Sequence, residues 1–494
     1  MGSVSKVQES KLYEIWQKQN FNDIIKTSDE YDIFIIDKGN RNEDSAGPDF
    51  RNARIRIGNL TYVGDVEIDL DYSDWKAHGH NIDNKYNSVI LHVTLTNKNR
   101  QGYVYTKNGR KVPSICISDL IHNDLIEQLK NSIEQEEKSD AVNLLKCTES
   151  IHLVPFETKE KFLIQLGVER FNKKCKRIYE RLKELQFLKE LNIKEPVVSY
   201  ELTQKFHERQ FKHSDFTNKE VWQQLFYELV FEALGYSKNK SQMITLAQYA
   251  NVDFLKKIEK DGVLIQKYEA ALMNISGLIN SSEKIIDEES KNYLDNISLH
   301  WNSIKVFYDS KYMNETQWHF FRLRPQNFPT IRIAAGARLL KEILHEDLIS
   351  VIAKKIAEIQ KLTVLINSLR SLFVIKSDGY WKTHYVFNQP AKSEIKYFVG
   401  ATRADEIVIN VVLPFFAVYF EMFGNKLLPK KIMKIYSIYE QKSENQIITD
   451  VGNAILMKDH INRTIISQGI IDLFRSYCSK GKCLECEIGK VAFN

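Results

Sequence analysis

The sequence predicts an α+β protein, with an N-terminal α/β core followed by a large, mostly α-helical region. In the first 120 residues, apolar side chains alternate with polar ones or form short β-branched runs, which is typical of strands. Beyond residue 150, apolar side chains recur every three or four positions, which is typical of amphipathic helices. A charged stretch at residues 127–140 separates the two patterns. We therefore expect an α/β domain over residues 1–135 and a helical domain, of one or two parts, over residues 136–494.

The α/β region predicts a short helix, three strands, a helical crossover and a further strand. Leu12, Ile15 and Trp16 have helical spacing and place the helix between residues 10 and 30. The strands are predicted at "YDIFIID", "ARIRI", "YVGDVEIDL" and "SVILHVTL". The last of these has the apolar density of a strand buried on both faces. Asn108 and Gly109 predict a turn before a final strand, "KVPSICIS".

Composition excludes few functions. The chain has 69 Lys plus Arg against 64 Asp plus Glu and a formal charge of +5, which permits a nucleic-acid partner without requiring one. The longest apolar run, from Ile407 to Phe420, is interrupted by Asn410 and Pro414 and is shorter than the ~20 residues that span a bilayer. It predicts a buried helix and no membrane partner. The six cysteines and the absence of a signal-peptide pattern indicate a cytoplasmic protein, and the oligomeric state stays open.

Four acids alternate along the third strand: Asp65, Glu67, Asp69 and Asp71. Successive side chains of a strand point to opposite faces, so these carboxylates share one face. Alternation alone is typical of a solvated strand surface. The other interpretation is a site for Mg²⁺ or Mn²⁺, ions that prefer oxygen ligands, with Asp49 and Glu67 as the protein carboxylates.

The order of elements and two short motifs resemble the PD-(D/E)xK nuclease superfamily. Pro48 and Asp49 match the PD motif, and Glu67 matches the acid of the second half-motif. Glu14, on the first helix, lies where many members carry an additional acid. The resemblance implies a restriction-endonuclease-like core and a phosphodiesterase in which the two acids hold Mg²⁺ or Mn²⁺.

One position departs from that superfamily, because Asp69 stands where its lysine is expected. Lys76, His78, His80 or Lys85 in the following segment could supply the missing group. The favoured hypothesis is a metal-dependent nuclease acting on nucleic acid, with Glu14, Asp49, Glu67 and Asp69 as site acids. The alternative is a catalytically inactive nucleic-acid-binding or scaffold protein of the same fold, and a third class is a metalloenzyme that uses the histidines.

The segment "DWKAHGHNIDNKY" admits two interpretations. His78 and His80 could place two imidazoles near the acids, and nitrogen ligands favour Mn²⁺, Fe²⁺ or Zn²⁺ over Mg²⁺. In the other interpretation Trp75 packs on the sheet and the histidines bond to backbone in the crossover. His92 lies on a strand that looks buried, which favours a core position.

A second resemblance extends over nearly the whole chain. The motifs "AGPDF", "HGH", "NSVILHV", "FRLRPQNFPTIRIA", "INVVLPF" and "CLEC" are similar to those of an uncharacterised bacterial family, domain of unknown function 2851. In that family the third strand usually reads "VEIH", so Asp69 replaces a histidine. The resemblance implies kinship and no particular activity.

Three cysteines lie close together near the C-terminus: Cys478, Cys483 and Cys486. A Cys-x2-Cys pair with a third cysteine nearby suits Zn²⁺ or an iron-sulfur cluster, and either needs a fourth ligand. His460, Cys116, Cys147 and Cys175 are the candidates, although Cys175 lies in an apolar helical stripe. Reduced surface thiols are the other interpretation.

Arginines and aromatic residues are interleaved in "WHFFRLRPQNFPTIR". Arg322, Arg324 and Arg332 could contact a phosphate backbone while the aromatic rings stack on bases. The same pattern suits a helix that begins at Pro329, with arginines paired to neighbouring side chains. We therefore expect these three arginines to bind nucleic acid. The alternative is that they stabilise the fold by pairing with neighbouring side chains.

Overall fold

The structure is a computed structural model, and it describes the chain in twelve stretches. These are residues 12–13, 15–19, 25–27, 30–42, 47–97, 101–118, 120, 145–236, 238–279, 287–320, 323–441 and 445–493. The chain divides into two compact units. The first consists of Met1–Asp140 with Thr316–Phe328, and the second consists of Ala141–Glu315 with Pro329–Asn494. A short segment from within the helical region thus belongs to the N-terminal unit.

The first unit is built around a mixed β-sheet. Its elements are β1 (Ile25–Lys26), β2 (Asp32–Asp37), β3 (Asn40–Arg41), β4 (Phe50–Ile57), β5 (Leu60–Asp71), α1 (Asp74–Ala77), β6 (Val89–Thr96), β7 (Tyr103–Tyr105) and β8 (Lys111–Cys116). The strand order is β1-β2-β4-β5-β6-β8-β7, with β3 paired to β4. Strands β5, β6 and β8 are parallel to one another, whereas β2, β4 and β5 are antiparallel. The crossover from β5 to β6 contains α1 and two 3-10 turns, His80–Ile82 and Asn84–Tyr86.

Two different layers cover this sheet. On one side, Val66 and Ile68 of β5 pack in a cluster with Leu12 and Trp16 of the first helical residues. On the other side, the β5–β6 crossover places Trp75 and Tyr86 in a cluster with strand residues such as Val89. The alternation of β5 therefore sends its apolar side chains to the helix and its acids toward the crossover.

Most predicted elements of this unit are present. The predicted strand "SVILHVTL" corresponds to β6, which begins at Val89 and whose first six residues are all buried, as its apolar density predicts. The turn before the last strand is also confirmed, because β7 and β8 form an antiparallel pair joined through Gly109, which has φ +77°. The first helix is shorter than predicted: its described helical residues are 12–13 and 15–18, and β1 follows at Ile25.

The second unit is mostly helical. Its helices are α2 (Phe156–Glu190), α3 (Thr203–Glu208), α4 (Lys219–Leu234), α5 (Lys240–Tyr249), α6 (Val252–Leu255), α7 (Leu264–Ile275), α8 (Glu288–Ile304), α9 (Pro329–Leu344), α10 (Leu348–Glu358), α11 (Leu362–Ser371), α12 (Ala401–Ile407), α13 (Leu413–Met422), α14 (Leu428–Ile438), α15 (Gln446–Ala454), α16 (Thr464–Ser476) and α17 (Glu487–Ala492). Two small antiparallel pairs join β9 (Ile375–Lys376) to β12 (Tyr397–Val399) and β10 (His384–Val386) to β11 (Gln389–Pro390). The long apolar run predicted as a buried helix forms α12, a π-helical turn at Val408–Val412, and α13, and most of its side chains are buried. In the described part of the chain, no helix combines the length and apolar character needed to cross a membrane.

Helices α2 and α16 pack closely because each has a glycine at the contact. A Cβ at Gly167 would overlap the carbonyl oxygen of Ile465, and a Cβ at Gly469 would overlap that of Leu163. The obstructing atoms are backbone, which cannot turn aside as a side chain can. The close packing of the longest helix in the described chain therefore depends on both glycines.

We expect Gly469→Ala to lower the free energy of unfolding by about 1–3 kcal/mol, because the added methyl group overpacks the α2–α16 contact. Alanine is intrinsically the better helix residue, so a destabilising result would isolate the steric effect. Urea unfolding measures the change. Gly262→Ala is the matched control, since nothing lies within 4 Å of its Cβ position. Equal stability of the two variants would contradict this account of the packing.

Candidate metal centre on the first unit

Strand register assembles a row of polar side chains on the crossover side of the sheet. Glu67 of β5 is paired with His92 of β6, and His92 is paired with Ser114 of β8. Asp69 follows Glu67 by two residues and therefore lies on the same face. Glu67, Asp69 and His92 are almost completely buried, with 1%, 2% and 0% exposure. The solvated-face interpretation of the acids is thus wrong for Glu67 and Asp69.

Asp69 is the centre of this group. Its Oδ1 lies 3.1 Å from His78 Nδ1 and 3.5 Å from His80 Nε2, and its Oδ2 lies 3.1 Å from His92 Nε2. Burial raises the pKa of Asp69, but the electrostatic influence of the adjacent His80 and the hydrogen bonds of His78 and His92 outweigh it and hold the pKa well below its ordinary value. Asp69 is therefore ionised, and His92 donates its Nε2 proton to it.

His80 is held neutral by its surroundings. It is fully buried, and its ring centroid lies 4.2 Å from that of Tyr86 and 5.2 Å from that of Trp75. Burial lowers the pKa of His80 to about 4, although the charge of Asp69 acts in the opposite direction. Its Nε2 also lies 3.1 Å from Glu67 Oε1. A neutral imidazole beside two carboxylates is the protonation state that metal ligation requires.

Asp49 and Glu67, which the sequence predicts as a pair of metal ligands, are neighbours linked through backbone hydrogen bonds. The Asp49 N–H donates to Glu67 Oε2 at 3.1 Å, and the Ile68 N–H donates to Asp49 Oδ2 at 3.0 Å. The Tyr13 hydroxyl donates to Asp49 Oδ1 at 2.7 Å. A bulge in β4 between Phe50 and Ala53 separates this pairing from the regular hairpin. Both oxygens of Asp49 thus accept hydrogen bonds within the fold.

A three-residue metal-binding geometry is present at Asp69, His78 and His80. Each offers one ligand atom, and these atoms lie within 4.8 Å of one another. Ligands at about 2.1 Å from one ion stand about 3.0–3.5 Å apart in octahedral or tetrahedral geometry. The 3.1 Å and 3.5 Å distances from Asp69 Oδ1 match that range. The residues present therefore fit a single ion with two nitrogen ligands and one oxygen ligand.

Access to this centre is from the side of His78. The His78 side chain is 21% exposed, whereas Asp69 and His80 are almost fully enclosed. Gly79, between the two histidines, has φ +81°, and a Cβ there would lie 3.4 Å from the Phe320 carbonyl oxygen. The segment Thr316–Phe328 therefore packs beside the loop that carries both imidazoles.

The remaining predicted site residues differ in whether they contact the acids of the centre. Lys76 is exposed on α1, whereas His78 and His80 contact the acids. Glu14 and Arg322 lie outside the described residues. Arg324 is exposed on the Thr316–Phe328 segment, in the same unit as the centre.

Arg332 corrects the expectation of nucleic-acid contact at that position. It lies in α9 of the second unit, where it is 6% exposed and its guanidinium donates to the Phe398 carbonyl at 2.6 Å. Burial lowers the pKa of Arg332 to about 9. The interleaving of arginine and aromatic residues reflects helix packing at this residue.

The three C-terminal cysteines do not form a compact ligand group. Among the described residues, only Asp69, His78 and His80 place three possible ligand atoms within 4.8 Å of one another. Cys478 and Cys483 are partly exposed and Cys486 is buried. Cys175, expected in a helical stripe, lies in α2, where its thiol donates to the Pro414 carbonyl at 3.7 Å.

Three residues of the centre were missed or misjudged by sequence reasoning. His92 is buried as expected, but it hydrogen-bonds Ser114 Oγ at 2.9 Å as well as Asp69. Tyr86 packs on His80, and its pKa is raised well above its ordinary value by burial and then by the charges of Glu67 and Asp49. Tyr13 has no sequence signal that connects it to Asp49 across 36 residues.

The fold and this centre define an α+β protein with a buried acid and histidine cluster on a mixed sheet. The chain belongs to the family described as "Protein of unknown function (DUF2851)", which matches residues 9–193 and 183–446. No curated protein and no solved structure matches the chain. The family membership supports the kinship inferred from the motifs.

We expect the stability of the metal-free protein to fall as pH decreases from 7 to 5. The pKa of His80 is about 4 in the folded state against an ordinary value of 6.5, so below pH 6.5 the unfolded chain takes up a proton that the folded chain does not. The free energy of unfolding should fall by about 2 kcal/mol over this range from His80 alone.

Urea unfolding at several pH values, with chelator present, measures this effect. His80→Gln should lose that part of the pH dependence. His207→Gln is the matched control, because His207 is exposed on α3. An identical pH dependence in wild type and His80→Gln would contradict the assignment.

Proposed function

We propose that this protein is a metal-dependent phosphodiesterase that acts on nucleic acid, with Asp69, His78 and His80 as its metal ligands. The observation that carries the proposal is the burial of Asp69 between imidazole nitrogens at 3.1 Å and 3.5 Å, distances that fit one shared ion. Asp69 stands where the PD-(D/E)xK superfamily has lysine. In this proposal the chain replaces that cation with a metal ligand.

Strand arrangement supports the nuclease-like part of the proposal. A helical segment packs on one face of the sheet, β2, β4 and β5 are antiparallel, and β6 returns parallel to β5 through a crossover. Asp49 directly precedes β4, and Glu67 lies beside it on β5. This order and these positions resemble the core implied by the PD and (D/E)xK motifs.

The donor set favours a metal other than Mg²⁺. Two imidazole nitrogens and one carboxylate suit Mn²⁺, Fe²⁺ or Zn²⁺, whereas Mg²⁺ prefers oxygen ligands. An ion bound there would supply Lewis acidity that lowers the pKa of water and polarises a phosphoryl group. The sequence predicts Mg²⁺ or Mn²⁺ at Asp49 and Glu67. In this proposal the ion is instead bound by Asp69, His78 and His80, and Glu67 lies beside it.

The neighbouring residues have separate roles in this mechanism. Glu67, 3.1 Å from His80 Nε2, is placed to accept a proton from an attacking water. Asp49 orients Glu67, because its own N–H donates to that carboxylate. His92 donates to Asp69 Oδ2 and fixes the direction in which Asp69 Oδ1 faces the other two histidines.

Arg324 supports nucleic acid as the substrate class. It is exposed on the segment that packs beside Gly79, in the loop carrying His78 and His80. An exposed cation on that segment would attract the backbone of a nucleic-acid substrate. Lys76, exposed on α1 two residues before His78, adds a second positive charge on that loop.

We expect the chain to bind one equivalent of Mn²⁺ and His78→Gln to weaken that binding by about tenfold or more, because one of three ligands is lost. Calorimetric titration of the full chain measures the affinity. Mn²⁺ is the probe because thiolates prefer softer ions, so the cysteines do not compete. His152→Gln, which changes an exposed histidine, is the control. Equal affinity in both variants would exclude His78 as a ligand.

We expect the purified protein with Mn²⁺ to cleave DNA or RNA, and Asp69→Asn and Glu67→Gln each to reduce the rate about 100-fold or more. Single- and double-stranded forms of both nucleic acids are tested with Mn²⁺ and, in parallel, with Mg²⁺. Asp65→Asn is the matched control: it lies on the same strand, but its carboxylate bonds Asn52 N–H and Ser88 Oγ.

Two results would overturn this function. Cleavage at the same rate in wild type and both site variants would identify a contaminating nuclease. Salt-sensitive nucleic-acid binding without cleavage under any metal would instead favour the non-catalytic binding protein, in which Asp69 marks the loss of the lysine.

A further inference from the structure

Four of the six cysteines lie on neighbouring segments of the second unit, although no three of their thiols lie within 4.8 Å of one another. Cys147 lies in a turn just before the 3-10 turn Ile151–Leu153, and α17, which follows Cys486, packs against that turn and against α2. Burial raises the pKa of the Cys147 thiol, and the nearby thiols of Cys486 and Cys483 raise it further. Burial likewise raises the pKa of Cys478 to about 12, with contributions from Cys486, Cys147 and Cys483. Each of these two thiols therefore lies near the other members of the group.

The other two cysteines are engaged elsewhere. The Cys116 thiol donates to the Leu95 carbonyl in the first unit, and the Cys175 thiol donates to the Pro414 carbonyl in the helical unit. The grouping thus selects the residue that sequence spacing could not: Cys147, more than 300 positions before its partners.

The backbone between Cys478 and Cys486 is folded into consecutive tight turns. Cys478 begins one 3-10 turn, Gly481 reverses the chain at φ +65°, and Cys483 begins a second 3-10 turn. A Cβ at Gly489 would overlap the Cys483 carbonyl oxygen, so α17 lies directly on that turn. Short turns of this kind aim adjacent thiols at a common centre.

Apolar packing alone does not account for such a compact segment. Leu484, between Cys483 and Glu485, is 76% exposed, and Cys478 and Cys483 are only partly buried. The backbone N–H groups of Ile488 and Gly489 hydrogen-bond Cys486 and lower its pKa against the effect of burial. Burial still raises the pKa of the Cys486 thiol overall, so metal binding there would have to displace its proton.

We propose that Cys147, Cys478, Cys483 and Cys486 bind one metal centre through four thiolates. Zn²⁺ and an iron-sulfur cluster share this ligand chemistry. Binding deprotonates the four thiols and releases their protons to solvent, with no change in oxidation state of the sulfur. The sulfur atoms of one Zn²⁺ site stand about 3.8 Å apart, whereas no three of the described thiols lie within 4.8 Å of one another. An iron-sulfur cluster binds its cysteines through different irons and so holds the sulfur atoms farther apart.

The test uses the full-length chain in a His78→Gln, His80→Gln background, so that the first unit does not contribute bound metal. Protein is purified without oxygen and reconstituted separately with Zn²⁺ and with Fe³⁺, sulfide and a thiol reductant, which supplies the electrons that convert part of the iron to Fe²⁺. Metal and sulfide content per chain, together with visible absorption, distinguish a zinc site from a cluster. About one centre per chain is expected in one of the two arms.

Cys147→Ser should lose this centre, whereas Cys116→Ser should keep it, because Cys116 belongs to the other unit. Retention of the centre by Cys147→Ser would overturn the assignment of the fourth ligand. Absence of metal in the parent protein after both reconstitutions would overturn the site as a whole.

Alkylation of the folded parent protein keeps the proposal testable if Cys147→Ser does not fold. With the centre bound, Cys147, Cys478, Cys483 and Cys486 should resist labelling, and removal of the metal by a chelator should expose them. Peptide mass spectrometry reports each cysteine separately, and Cys116 should label equally in both states. Equal labelling of the four cysteines with and without metal would overturn the proposal.

Discussion

The first unit depends on how it accommodates two carboxylates inside the sheet. Glu67 and Asp69 occupy the face of β5 that the β5–β6 crossover covers, and both are almost fully buried. Removing a carboxylate from water costs several kcal/mol even after the protein relaxes, unless partners replace the solvent. The crossover supplies His78 and His80, the next strand supplies His92, and the Asp49 N–H completes the shell of Glu67. The segment between residues 72 and 88 therefore supplies polar partners that replace part of the water lost by the two acids.

Such a buried network is a poor way to stabilise a sheet. Apolar side chains of similar volume at positions 67 and 69 would pack against Trp75 and Tyr86 without any desolvation cost, and replacements of this kind are often neutral or stabilising. A centre with three histidines around one carboxylate is better explained by chemistry than by folding. The lowered pKa of His80 has the same implication, because it leaves an imidazole neutral at the pH where most metals bind.

Local sequence patterns predicted much of the fold but only part of this centre. Alternation along β5 correctly assigned Glu67 and Asp69 to one face, since side-chain direction is a property of the strand itself. It could not show that this face is covered, because the cover comes from Trp75 and Tyr86 in the crossover. In the sequence, Asp69 only occupies the position where the nuclease superfamily has lysine. In the structure, its carboxylate lies next to three histidines.

Long-range placement explains the remaining differences. Arg324 and Arg332 are eight positions apart in one motif, yet the first is exposed in the N-terminal unit and the second is buried against Phe398 in the helical unit. Residues 316–328 join the first unit through contacts such as that between Phe320 and Gly79, which no periodicity encodes. Similarly, spacing identified Cys478, Cys483 and Cys486 but could not choose among their distant partners.

The two proposed centres differ in donor chemistry, and this difference determines how each would acquire its metal. Two nitrogens and one oxygen at Asp69, His78 and His80 accept Mn²⁺, Fe²⁺ and Zn²⁺, with affinity rising along the series toward Zn²⁺. Thiolates select Zn²⁺ or iron-sulfur clusters and bind Mn²⁺ poorly. Zn²⁺ in excess would therefore occupy both centres, whereas Mn²⁺ would fill only the first. The two sets of ligands lie in different units. Substituting the ligands of one centre should therefore change the metal content of that centre and leave the other centre unchanged.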